Sequence, residues 1–277
     1  MVWLIVLLNR VFRRPKVEGR ESAEAYSEWE YRWGNSLVRE YLEPAGDLKC
    51  KKVLDIGCGL GGKTVAYGEA GAAEIFGADL SIEHVKASHN FAAGRERSFE
   101  WGFVAADAAL LPWATGMFDT VVANDAMEHF AEPEAAVREM ARVTKAGGAV
   151  WLFFTPHYSP FGSHLYDYVY TPWCHLLFRR NHLGGAIHEI LRSRNREAPA
   201  DEIEKKLEGI MRSYDTELNH MSIRRFHRIL RERPELEIIY VEYKPAKFSF
   251  LKLLTRLPLV RELFTGTVIC RLKRVAD

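Results

Sequence analysis

Cysteine is scarce: Cys50, Cys58, Cys174 and Cys270 are the only four in 277 residues. They are too few for a disulfide framework and too scattered for a metal-binding knuckle, which fits a reducing, cytoplasmic setting. Proline, at 11 residues, is also sparse, and the 20 glycines follow no repeat, so collagen-like and Pro-rich disordered classes are excluded. Neither sign of charge dominates: 38 Lys+Arg against 37 Asp+Glu give +1, and no bulk field directs the protein to nucleic acid. Long apolar runs are missing as well. Met1 to Leu8 is apolar, and basic Arg10, Arg13, Arg14 and Lys16 follow. A membrane span needs about 20 apolar residues, and a signal peptide carries its charge before the apolar run. Apolar-then-basic order instead suits an interfacial anchor or a helix packed on a protein surface.

The neutral total conceals an asymmetry. From Arg179 onward there are 21 Lys+Arg and 14 Asp+Glu, leaving 17 against 23 for residues 1–178. Residues 22–42 read as a helix whose aromatic-rich face carries Tyr26, Trp29, Tyr31, Trp33, Leu37 and Tyr41. From Lys52 on, short apolar runs alternate with amphipathic helices. Strands are expected at 52–56, 74–79, 101–106, 118–123 and 149–154, with helices at 63–70, 81–93 and 133–144, the last closed by Gly147-Gly148. This alternation predicts a doubly wound, mostly parallel α/β sheet. Beyond Pro156 the pattern gives way to an aromatic stretch and a charged helical excursion broken near Pro199. Strand-like runs at 236–243 and 267–272 then predict an antiparallel edge pair.

Gly57, Gly59, Gly61 and Gly62 stand where the first strand turns into a helix, suiting close backbone approach to a ligand at a helix N-terminus. Read literally, they also satisfy the G-x-G-x-x-G dinucleotide fingerprint, with Asp79 at the spacing of a ribose-binding acid. Asp55 separates the two chemistries. A carboxylate just before the loop repels a pyrophosphate but welcomes a cationic ligand such as S-adenosylmethionine, which carries a sulfonium, an ammonium and no phosphate.

Val53-Leu-Asp-Ile-Gly-Cys-Gly-Leu-Gly61, Asp79 at the end of the second strand, Asp107 after the third, Phe118-Asp-Thr-Val-Val-Ala-Asn-Asp125 and Glu128-His129 resemble the successive motifs of class I S-adenosylmethionine-dependent methyltransferases, small-molecule branch, over residues 50–156. The ubiquinone- and menaquinone-pathway enzymes are similar. The resemblance implies a Rossmann-like seven-stranded sheet and a cofactor site. In that site the backbone of Gly57, Cys58, Gly59 and Gly61 meets the methionine and ribose parts, Asp55 lies near the ammonium, and Asp79, followed by Leu80, takes the ribose hydroxyls. Asp107 and Ala108 would meet the adenine, and Asn124 and Asp125 the methionine part.

Residues 1–46 are expected to form an N-terminal helical extension, and 47–277 the methyltransferase domain with an acceptor-binding insertion at about 157–217. His157, the leading general base, and His164 stand in the aromatic loop after the fifth strand, and His129 is a further candidate. Asp125, Glu128 and His129 resemble the E-x-x-E-H metal pattern of ubiquinone-pathway enzymes, but Asp replaces the first Glu and no metal is assigned. Residues 247–264 mix large apolar side chains with Lys247, Lys252, Arg256 and Arg261. With residues 1–16 they suggest peripheral contact with the inner membrane face. The expected reaction is methyl transfer to a hydroxyl of a small or lipid-linked acceptor, with no nucleic-acid partner. An NAD-dependent oxidoreductase and an inactive scaffold of the same fold are the alternatives.

Overall fold

The computed structural model describes residues 1–12, 22–95, 99–246 and 249–275, with no side-chain description at 249–251. Arg13, Arg14, Lys16 and Lys247, part of the expected membrane-facing charge, lie outside the described residues. Contacts divide the chain into a sheet unit, residues 17–154, 227–242 and 269–277, and a helical unit, residues 1–16, 155–226 and 243–268.

The sheet unit opens with α2 (Ala23–Leu37; α1, Val2–Val11, belongs to the helical unit), which Ser22 starts by accepting the Ala25 N–H on its hydroxyl and which widens into a π turn at Val38–Leu42. The alternation follows: β1 (Lys52–Ile56), α3 (Gly62–Glu69), β2 (Glu74–Asp79), α4 (Ile82–Ala93), β3 (Glu100–Ala105), β4 (Phe118–Asn124), α5 (Pro133–Val143) and β5 (Thr144–Phe154). β6 (Leu236–Pro245) and β7 (Thr265–Arg274) complete a seven-stranded sheet of order 3-2-1-4-5-7-6. Its first five strands pair in parallel and the C-terminal pair is antiparallel. Val53, Leu54, Asp55 and Ile56 of β1 are all buried, as a central parallel strand covered on both faces requires. Leu37, Leu42, Leu48, Val53, Tyr67, Trp151 and Phe153 share one core cluster beneath α2 and α3.

One local expectation is corrected. Gly147 and Gly148 do not close a helix: α5 ends at Val143, and both glycines lie inside β5, where the register slips between Phe118↔Thr144 and Thr120↔Ala149. Gly147, at φ +79°, absorbs the extra residues of this bulge. The buried positions of α2 are Ser27, Glu30, Gly34 and Leu37. Small side chains win there because α2 lies directly on α3: a Cβ on Gly34 would stand 2.9 Å from Ala66 Cβ.

The helical unit holds α1 (Val2–Val11), α6 (Cys174–Leu177), α7 (Arg180–Arg194), α8 (Ala200–Thr216), the first turn of α9 (Ile223–Arg231) and α10 (Arg261–Phe264), with 3-10 turns at Leu165–Asp167 and Ser249–Arg256. Ile5 of α1 is buried in a cluster with Leu183, Ile187, Ile190 and Leu191 of α7. Gly185 permits the contact, since a Cβ there would meet Val2 at 2.8 Å. Among the described residues, no helix is long and apolar enough to cross a membrane.

Candidate active site

In an open parallel sheet the carboxyl ends of the strands form the ligand crevice. The loop from β1 to α3 bends there through Gly57, Gly59 and Gly61, all at positive φ. At two of these positions space as well as conformation demands glycine: a Cβ would lie 2.6 Å from Ala126 Cβ at Gly57 and 2.7 Å from Ser88 Cβ at Gly61. The Ser88 hydroxyl, reaching over from α4, donates to the Gly59 carbonyl at 2.9 Å. Cys58 is buried beneath the loop, and burial pushes its thiol well above the ordinary range.

Asp79 ties this loop to the end of β2. Its Oδ2 accepts the Gly59 N–H at 3.0 Å, and its Oδ1 accepts the Ser81 N–H at 2.9 Å and faces His84 Nδ1 at 3.1 Å. Burial opposes ionisation, but these three contacts outweigh it and hold the carboxyl below its usual range. The bond to Asp79 raises His84 in turn. Asp55 is buried, its Oδ2 accepting the Thr64 hydroxyl at 2.6 Å. Burial lifts its pKa to about 6, against the opposing pull of Thr64 and Lys63.

Two residues absent from the expected site stand beside it. Lys63, buried in the first turn of α3, donates to Asn124 Oδ1 at 2.7 Å and Asp125 Oδ2 at 3.1 Å. Burial works against its charge, yet Asp125, Glu30 and Asp55 raise its pKa overall. Glu30 is buried on α2, 23 residues before the motif begins at Val53. The signal that could have found it is the Ser27, Glu30, Gly34 spacing, one compact helix face carrying an acid.

The glycine loop and Asp79 are thus joined by a direct contact, Asp55 is tied to Thr64 on α3, and Lys63 holds Asn124 and Asp125 at the end of β4. Asp125 takes φ +52° and donates its N–H to the Phe153 carbonyl. Its carboxylate already faces the Lys63 ammonium, a charge that a metal ion there would have to displace. Asp107 is exposed and caps its own turn, accepting the Ala109 N–H at 2.8 Å, with Ala108 inside that turn. Leu80 is exposed beyond β2, and His129 is exposed, its N–H bonded to the Ala126 carbonyl.

His157 and His164 belong to the helical unit. The His157 ring lies 4.5 Å from that of His220 and 5.2 Å from that of His175, whose Nε2 contacts the His157 carbonyl at 2.7 Å. Burial, then the two neighbouring imidazoles, lower the pKa of His157 to about 4. His164 sits at φ +55° before the Leu165–Asp167 turn, its ring 6.0 Å from Tyr166.

Residues 54–152 match the family described as a methyltransferase domain. The chain is 31% identical over 140 residues to the demethylmenaquinone methyltransferase of Renibacterium salmoninarum, covering 50% of this chain and 54% of that one. It is 34% identical over 123 residues to the ubiquinone biosynthesis O-methyltransferase of Thiobacillus denitrificans, covering 44% and 50%. The aligned region thus spans about half the length of either relative. The magnesium protoporphyrin IX methyltransferase of Synechocystis PCC 6803, solved with S-adenosylhomocysteine, shares the fold at a TM-score of 0.52 and 17% identity, covering 96% of this chain and 92% of that one. Residues 54–152 are therefore similar to the methyltransferase domains of these relatives, and the fold is that of a methyltransferase solved with S-adenosylhomocysteine.

Proposed function

We propose that this protein transfers the methyl group of S-adenosylmethionine to a hydroxyl of a small, amphiphilic acceptor. The observation that carries this reading is electrostatic: Glu30, Asp55, Asp79 and Asp125 gather around one glycine loop against a single buried lysine, Lys63. That surplus of carboxylates suits a ligand with a sulfonium and an ammonium and opposes a pyrophosphate. The donor set fits the cofactor, because Glu30 Oε2 is a buried oxygen without a hydrogen-bond partner beside the loop. When bound, the cofactor supplies an activated methyl group on sulfur.

The protein's part is alignment, water exclusion and proton removal. Asp79, fixed by Gly59 and Ser81, holds the ribose hydroxyls, and the backbone of Gly57, Cys58, Gly59 and Gly61 lies along the methionine and ribose parts. Exposed Leu80, with Asp107 and the Ala108 amide, receives the adenine, while Asp55, Asn124 and Asp125 serve the methionine end. His157, neutral at pH 7, is the leading base for the acceptor hydroxyl; His164 and His129 are the secondary candidates. Calorimetry comparing S-adenosylhomocysteine with NADH, followed by tritium transfer from labelled S-adenosylmethionine into a lipid-containing cell extract, tests the reading. Preference for NADH, or cofactor binding without transfer, would refute it.

A membrane-facing role rests on a separate observation. With Ile5 turned inward, α1 exposes Trp3 (67%), Leu7 (47%) and Val11 (70%) on one stripe beside exposed Arg10. Leu253, Leu257 and Leu259 are likewise exposed near Lys252 and Arg256. This pattern supports reversible docking on anionic bilayers, where lipid-linked acceptors reside. Full-length protein should float with anionic vesicles and a Trp3→Ser/Leu7→Ser variant should not; a wild type that stays in solution would end this reading.

A further inference from the structure

Helix α2 crosses the start of α3 so closely that a Cβ on Gly62 would fall 2.0 Å from the Ser27 carbonyl oxygen and 2.7 Å from Glu30 Cβ. This contact delivers the Glu30 carboxyl to the glycine loop, where its Oε1 lies 3.1 Å from the point a Cβ on Gly59 would occupy. The Gly62 N–H donates to the carboxyl. Glu30 is only 5% exposed, and its Oε2 has no hydrogen-bond partner. The nearby Lys63 ammonium is directed at Asn124 and Asp125. An unsatisfied buried carboxyl oxygen is costly and needs a reason. Here the open oxygen stands beside the backbone that would flank the methionine part of the cofactor, whose one strong donor is its α-ammonium.

We propose that Glu30 Oε2 accepts the α-ammonium of the cofactor, making α2 part of the binding site and fixing the methionine part at the start of α3. The inference rests on the cofactor reading above and deepens it. It has a linked consequence. Burial raises the Glu30 carboxyl to about 7; Lys63 on α3 and the Gly62 N–H lower it, while Asp55 on β1 and Asp125 after β4 raise it further. The carboxyl is therefore about half protonated at pH 7, and engaging an ammonium ionises it and releases that proton.

The test is a mutant-and-ligand cycle by calorimetry, using S-adenosylhomocysteine and the analogue that lacks only its amino group. Wild type should prefer the amino ligand by about 10- to 100-fold, the span of a charge-assisted hydrogen bond. In Glu30→Gln the preference should collapse to within about threefold. The variant should bind the des-amino analogue as wild type does, which also reports an intact site. Titrations at pH 7 in buffers of different ionisation enthalpy should show about half a proton released by wild type and none by Glu30→Gln. An unchanged preference in Glu30→Gln, or none in wild type, overturns the role of Glu30 while leaving the cofactor reading in place. Failure of wild type to bind S-adenosylhomocysteine brings down both.

Discussion

Removing the Asp79 carboxylate is the most direct perturbation of the cofactor site. Gly59 and Ser81 N–H groups occupy one acceptor position on each of its oxygens, at 3.0 and 2.9 Å. Each oxygen has a second lone-pair direction, that of Oδ1 met by exposed His84 Nδ1 at 3.1 Å, and once His84 turns aside two ribose hydroxyls would add two charge-assisted bonds at about 1.5–3 kcal/mol each. The Asp79 side chain keeps 14% of its surface accessible, which favours the lower half of that range. Asp79→Ala should therefore weaken S-adenosylhomocysteine binding by about 3–4 kcal/mol, a few hundred-fold in Kd. Asp79→Asn should resemble Ala more than wild type, because its amide NH2 must point at the Gly59 or the Ser81 donor. Calorimetry gives both affinities, and near-ultraviolet circular dichroism confirms an intact fold. An Asp79→Ala affinity within threefold of wild type, with the fold unchanged, would refute the assignment of the ribose to this residue.

Gly61→Ala combines an unfavourable φ of +83° with a 2.7 Å approach to Ser88 Cβ. It should cost about 2–4 kcal/mol in urea unfolding, whereas Gly147→Ala, at φ +79° with nothing within 4 Å, should cost only about 1. Glu30 gives stability a pH slope. Its carboxyl stands at about 7 in the fold against an ordinary 4.5, so the contribution is complete below about 4.5 and disappears as pH rises through 7. Cofactor-free protein should lose about 3 kcal/mol between those limits on this account, and Glu30→Gln should flatten the slope, read by urea unfolding across the range. His157 has the opposite sign. Its imidazole is lowered to about 4, so it favours the fold above about 6.5 and ceases to as pH falls through 4. Its ring carbon proton should titrate near 4 by NMR, and a midpoint at the ordinary 6.5 would contradict the packing described for it.

How much of the fold the sequence discloses depends on how local its causes are. β1, β2 and β4 are legible because a buried parallel strand must be apolar on both faces, and their limits fall within a residue of the expected ones. Gly147 and Gly148 mislead because the same dipeptide suits a helix end or a bulge. Only the pairing of Thr144 with Phe118, a contact between separate strands, decides for the bulge. The buried face of α2 is not local either: close packing on Gly62 and Ala66 selects Ser27 and Gly34.

The same distinction divides the residues of the site. Asp79 can be read from the chain because strand, loop and acid follow one another, and its contacts with Ser81 and His84 lie within five residues. Lys63 lies beside the glycine loop, but its partners Asn124 and Asp125 are 61 and 62 residues away. Nothing local therefore distinguishes it from a solvated lysine at a helix start. Glu30 is harder still, since an acid on an amphipathic helix ordinarily faces water. What makes it notable is burial imposed by Gly34 and Gly62, two glycines 28 positions apart that let two helices touch. On the proposed reading the motif residues set the kind of ligand, while the charge that would meet its ammonium arrives through packing between α2 and α3. Substituting Gly34 or Gly62 by Ala should accordingly weaken cofactor binding without altering any motif residue that contacts the cofactor. Affinity unchanged in both variants would show that the placement of α2 is irrelevant to the site.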